Sequence, residues 1–122
     1  MRRLLIATAA LSMVVCFGKV ASAADEVTGV LIDQACGSKQ MSKADPEKAA
    51  AGHSKDCAMK DSCAKSGYAV ISGKKMWKFD EKGAQLAKDY LKDHDSTKVV
   101  VKGTEKGDEI QVTSITAAPS KG

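Results

Sequence analysis

No arginine follows Arg3 in this chain of 122 residues, and aromatic side chains make up only 4% of it. Nucleic-acid binders neutralise phosphates with a dense cationic face rich in bidentate guanidinium forks, so the first absence argues against that partner. The second leaves an aromatic-lined pocket for a large ligand thinly furnished, with one Trp, two Tyr and two Phe to build it. There is no C-x-x-C pair, no C-x-x-C-H and no Gly-rich phosphate loop. Thioredoxin-like exchange, c-type haem attachment and nucleotide binding therefore lose their usual signatures. A membrane-spanning helix needs roughly 20 apolar residues, and the largely apolar run Leu4 to Phe17 holds 14.

That run has a different use. Arg2 and Arg3 precede it, and Ala21-Ser22-Ala23 follows with small residues at the −3 and −1 positions, ahead of Ala24-Asp25-Glu26. This is the layout of a secretory signal, residues 1–23, cleaved after Ala23. Cys16 ends the apolar run as a lipoprotein cysteine would, but the bulky Val15 stands before it where lipoprotein processing requires a small residue. The expected product has no stable membrane anchor and is periplasmic or secreted, an oxidising setting for its remaining thiols, Cys36, Cys57 and Cys63. Nineteen Lys and Arg against fifteen Asp and Glu give the whole chain +4. The leader removes Arg2, Arg3 and Lys19 and no acid, leaving +1 over 99 residues.

The mature chain reads as one domain, 24–116, followed by a flexible tail, 117–122. Glu26 to Asp33 is β-branched and short, a first strand. Gln34 to Gly67 has few large apolar groups and reads as an insert. In it, Asp45-Pro46-Glu47 marks a helix start with Pro at the first helical position, closed by Gly52. Ser54 caps a second helix, expected over Lys55 to Lys65. Tyr68 to Ser72 and Lys75 to Phe79 flank Gly73-Lys74 as a hairpin. Leu86, Ala87, Tyr90 and Leu91 form a helical stripe within Ala84 to Lys92. Thr97 to Thr104 and Asp108 to Thr116 form a second hairpin around Glu105-Lys106-Gly107. Five strands with one core helix between the third and fourth is the element order of an OB-fold-like barrel, mainly β with α. Val30, Ile32, Val70, Trp77, Phe79, Val99, Val101, Ile110 and Val112 are the candidate core. The insert occupies the first interstrand loop, where such barrels commonly bind ligands.

Val27-Thr28-Gly29-Val30-Leu31-Ile32-Asp33 and Ala35-Cys36, then His53, Cys57, Cys63 and Gly67-Tyr68-Ala69-Val70, follow one another in a recognisable order. So do Lys78-Phe79-Asp80 with Gly83, then Val99-Val100-Val101-Lys102-Gly103, Gly107-Asp108 and Ile110-Gln111-Val112. In this order the chain resembles small exported bacterial proteins of uncharacterised function with an OB-like domain. The resemblance covers nearly all of the mature chain and implies export and fold. It brings no established activity.

Chemistry concentrates in Cys36, His53, Cys57 and Cys63, spaced C-x16-H-x3-C-x5-C. Three thiolates and an imidazole would complete a tetrahedral zinc site, and thiolates also suit Cu(I). Against this, residues six apart on a regular helix point about 120° away from each other. The alternative is a disulfide. A regular helix would hold Cys57 and Cys63 roughly 9 Å apart, too far for a bridge, so Cys36 with Cys57 or Cys63 is the easier pairing. A closure of about 20 to 27 residues would contribute on the order of 3 kcal/mol in the chain-entropy model. Three is an odd number, so a bridge leaves one thiol over. Metal and disulfide both remain open at this level.

Other signals are weaker. Ser62-x-x-Lys65 and Ser72-x-x-Lys75 match a serine–lysine nucleophile pattern, but a chain this rich in serine and lysine yields such matches by chance. His94 between Asp93 and Asp95 fits a solvated helix end better than a base. Met41, Met59 and Met76 are soft copper ligands in principle and packing residues by preference. Tyr68, Trp77 and Phe79 would make a base-stacking platform only if they faced outward, and period two on the second hairpin strand turns Trp77 and Phe79 toward the core. Two functions follow. One is an exported, non-enzymatic binding module holding a metal ion or small ligand at the Cys/His cluster. The other is a structural or interaction protein whose cysteines brace the loop by a disulfide without ligand.

Intact-mass analysis of the exported protein is expected to show a chain beginning at Ala24. An uncleaved precursor, or a species lipid-modified at Cys16, would overturn the leader reading.

Overall fold

A computed structural model describes residues 25–119. The expected leader and residues 120–122 of the expected tail lie outside the described residues. The elements are β1 (Asp25–Asp33), α1 (Gln34–Gln40), α2 (Pro46–Ala51), α3 (Lys55–Ala58), α4 (Asp61–Lys65), β2 (Tyr68–Ser72), β3 (Lys75–Phe79), α5 (Glu81–Asp93), β4 (Lys98–Lys106) and β5 (Glu109–Ala117). The strands close into a barrel in the order β1-β2-β3-β5-β4, the OB-like arrangement expected from the element order. Every neighbouring pair is antiparallel except β3 and β5, which run parallel and share only the pairs Lys78 with Glu109 and Phe79 with Ile110. No helix among the described residues is long and apolar enough to cross a membrane.

β1 makes the closure possible. Its first part, Asp25 to Val30, pairs with β4, and Val30 to Asp33 pairs with β2. The change of partner falls at Val30, and Gly29 sits beside it. A Cβ at Gly29 would collide with the carbonyl oxygen of Ile71, so only glycine lets the two strands approach this closely.

Burial divides into two cores. Val27, Leu31, Tyr68, Val70, Phe79, Val99, Val101, Ile110 and Val112 fill the barrel together with Ala87, Tyr90 and Leu91 of α5. Val30 and Ile32 were expected inside. They lie instead on the outer face of β1, buried with Ile71 and Ala50 and flanked by Cys36, Met41 and Met76. Alternation explains the correction, because Val27 and Leu31 take the inward positions and their neighbours must face out. The insert covers that outer face, so β1 is buried on both sides. Trp77, another expected core residue, is only half-buried. It packs against the barrel core, and Lys75 Nζ lies 4.6 Å from its ring centroid.

Strand and helix ends shift by a few residues from those expected. Ala117, expected to begin the tail, pairs with Val99, and Ala118 N donates to Lys98 O at 3.0 Å. The core helix starts at Glu81, before the stripe that announces it, because Asp80 caps it. The Asp80 Oδ1 accepts from Gly83 N at 2.9 Å and from Val112 N at 3.1 Å, joining the helix start to β5. Gly83 is part of this joint, since a Cβ there would lie 2.6 Å from Val112 Cγ2.

Asp80→Ala removes the cap and leaves the Val112 amide without its partner. A loss of about 1–2 kcal/mol is expected, read as a lower urea midpoint at unchanged slope.

Candidate metal centre

The site begins where β1 stops. Asp33 is fully buried at the inward position of the last β1 residue, opposite Tyr68. Its side chain caps α1, with Oδ2 accepting from Cys36 N at 2.9 Å. Its other oxygen, Oδ1, lies 3.2 Å from His53 Nε2. A buried carboxylate must be satisfied at both oxygens, and this one takes a helix amide and an imidazole. Cys36 is therefore set on the first turn of α1. The start of that helix is tied to the far end of the insert by Gln34 N donating to Gly67 O at 2.9 Å and Ala35 N donating to Ser66 Oγ at 3.1 Å.

His53 follows α2, which starts as the sequence suggests, with Asp45 Oδ1 accepting from Lys48 N at 3.2 Å and Pro46 in its first turn. Ser54 then caps α3 through Cys57 N at 3.2 Å. The single helix expected over Lys55 to Lys65 is two helices, broken at Met59 and Lys60. The Tyr68 hydroxyl donates to Ala58 O at 3.1 Å, occupying a carbonyl that a continuous helix would offer to its own next turn. Lys60 is extended, with φ −60° and ψ 141°, and α4 restarts after it with Cys63 in its middle.

This break brings the sulfurs together. The Sγ atoms of Cys36, Cys57 and Cys63 all lie within 4.8 Å of one another, contributed by α1, α3 and α4. The C-x5-C spacing that a straight helix would splay apart becomes compatible with a shared ligand. All three thiols are half-buried and none is in a disulfide. His53 does not join this sulfur triad. It forms a second group with Asp33 and Cys36, whose ligand atoms are also within 4.8 Å of one another. The four residues expected as one site thus form two overlapping groups that meet at Cys36. The reason is the His53–Asp33 contact, which draws the ring toward the end of β1.

Asp33 is the site residue that reading the sequence missed, where it passed as the end of a strand. The available signal was D-x-x-C, an acid three positions before the residue whose amide it caps. Burial, then the Asp33 charge and the Cys63 sulfur beside it, push the Cys36 thiol up to about 12 from 9.0. Tyr68 is pushed up by burial, with Asp33 and Cys63 adding to it. Both shifts report a place that disfavours further negative charge until a cation enters.

The remaining candidates have other occupations. Met41 and Met76 pack in the outer core, and Met59 packs against the barrel core. Tyr68 and Phe79 are buried, so the three rings do not form an exposed stacking face. His94 ends α5 and stacks on Tyr90 with ring centroids 4.1 Å apart, while Asp95 pairs with Lys55 at 3.0 Å. Comparison with protein-family models, with curated proteins and with solved structures gave no significant match.

The raised Cys36 thiol fixes a pH dependence for the reduced, metal-free protein. Between the ordinary thiol value of 9.0 and about 12 the folded state holds a proton that the unfolded state has lost. Stability must therefore fall as pH rises through that window, and the contribution is intact below it. Urea midpoints measured from pH 8 upward are expected to fall more steeply for the native protein than for Cys36→Ser, which has no thiol to titrate there. Parallel curves would show that Cys36 is not held as a thiol.

Proposed function

We propose that this chain is an exported, non-enzymatic binding module that holds one soft metal ion through Cys36, Cys57 and Cys63. The observation that carries the reading is the convergence of three unbonded sulfurs from three separate helices. Three thiolates suit Zn(II) or Cu(I), and binding would release the proton that Cys36 retains in the metal-free site. Asp33 and His53 stand behind Cys36 as orienting partners, the common arrangement around metal-bound side chains. Export rests on the leader pattern of residues 1–23, and the non-enzymatic reading on the Cys36 thiol beside His53, which burial and the Asp33 charge raise rather than activate.

The bracing alternative explains less. The two ends of the insert are already tied to each other by Gln34 to Gly67 and Ala35 to Ser66, and its middle is held to the barrel by the Tyr68 hydroxyl on Ala58 O. Glu47 Oε2 also accepts from Gly73 N at 2.7 Å, and Val30, Ile32 and Ile71 are buried beneath the insert. A disulfide is not required to keep the loop on the barrel, and bracing gives the third sulfur no role.

The reduced protein, residues 24–122, is expected to bind one equivalent of zinc or Cu(I) in a chelator-competition titration. Cys36→Ser, Cys57→Ser and Cys63→Ser should each weaken binding by tenfold or more, and His53→Ala by less, since His53 lies outside the sulfur triad. Absence of stoichiometric binding to the reduced protein would sink the proposal.

A further inference from the structure

Resting on that reading, we infer that the site is redox-gated: a bridge between Cys36 and Cys63 forms at the expense of the bound ion and leaves Cys57 as the single free thiol. Sulfurs gathered closely enough to share one ion are also close enough to attack one another's mixed disulfides. All three are partly exposed, so a dissolved oxidant can reach them.

The choice of pair follows from how the three helices are held. Ala35 N donates to Ser66 Oγ at 3.1 Å, and that same hydroxyl donates to Cys63 O at 2.6 Å. Gln34 N donates to Gly67 O beside them at 2.9 Å. The start of α1, just before Cys36, and the end of α4, just after Cys63, are thus stitched together. Cys63 also stands against the Cys36 thiol, beside Asp33. Cys57 belongs to α3, a helix of four residues held through its own cap and through Tyr68 to Ala58. Bridging Cys36 to Cys63 joins two segments that are already hydrogen-bonded to each other, whereas α3 is held to Tyr68 instead.

The oxidant is a disulfide of the form RSSR. One ligand thiolate attacks a sulfur of RSSR, forming a mixed disulfide and expelling one RS⁻. The second ligand thiolate attacks the protein sulfur of that mixed disulfide and expels the second RS⁻. The Cys36–Cys63 bond has formed and the RS–SR bond has broken. Two electrons have passed from the protein sulfurs to the oxidant, and no proton is needed. A divalent ion that had three thiolates keeps one, so it departs. Reduction by a dithiol reverses each step and restores the ligand set.

Glutathione disulfide is the probe, added to reduced protein loaded with one zinc, with a chromogenic chelator reporting release. The expected result is one zinc released per bridge, a mass loss of two hydrogens, and peptide mapping that joins Cys36 to Cys63. Zinc retention should fall by tenfold or more and return on adding dithiothreitol. Cys57→Ser should still form the bridge despite its weakened zinc binding. Zinc that stays bound through oxidation, or a bridge that includes Cys57, overturns the gating and leaves the metal reading standing. A reduced protein that never takes up zinc overturns both, and is recognised before any oxidant is added.

Discussion

A single buried carboxylate organises the functional end of this protein. Asp33 terminates the strand on which the barrel closes, caps the helix that carries Cys36 and faces the imidazole of His53. A polar side chain taken out of water is costly unless its oxygens are occupied, so the insert must return both partners to the end of β1 whenever the domain folds. The position of Cys36 is a by-product of that requirement. Once Cys36 is fixed, the tie between Gln34 and Gly67 sets where α4 can lie, and with it Cys63. The placement of the sulfurs therefore rests on a carboxylate that also acts directly on one of them, the Cys36 thiol.

The insert is also structural in the ordinary apolar sense. Val30, Ile32 and Ile71 would be exposed on a bare barrel, and α1 and α2 bury them together with Ala50, Met41 and Met76. The site consequently sits on a second layer with its own core. Removing the insert to obtain a minimal barrel would uncover β-branched surface on the very strand that closes it.

Much of the barrel was legible because its signals are local. Gly73-Lys74 between two short apolar runs, the alternation on both sides of Gly107, and the stripe from Leu86 to Leu91 all lie within a few residues of what they specify. What escaped depended on distant partners. The break in the Cys57–Cys63 segment is enforced from Tyr68, ten residues beyond the Ala58 carbonyl it takes. The inward and outward faces of β1 could not be told apart because both are apolar, and a strand buried on two sides has no alternation to read. Asp33 looked like punctuation after a strand, since nothing nearby shows that it is out of water. The four chemistry-bearing residues Cys36, His53, Cys57 and Cys63 were picked out by type alone, while their division into a sulfur triad and an Asp33-centred group needed the fold.

The double pairing of β1 also governs how the domain comes into being. Asp25 lies beside Gly103 and Val27 beside Val101, partners separated by most of the chain. Pairings of such long sequence separation carry the full loop-closure entropy before they contribute anything, which slows closure relative to the local hairpins. The hairpins β2–β3 and β4–β5 can form from their own neighbourhoods, but β1 waits for the other end of the chain. Until Lys98 and its successors are available, the strand that ends in Asp33 has half its edge unpaired, and the chain is at its most prone to associate with copies of itself.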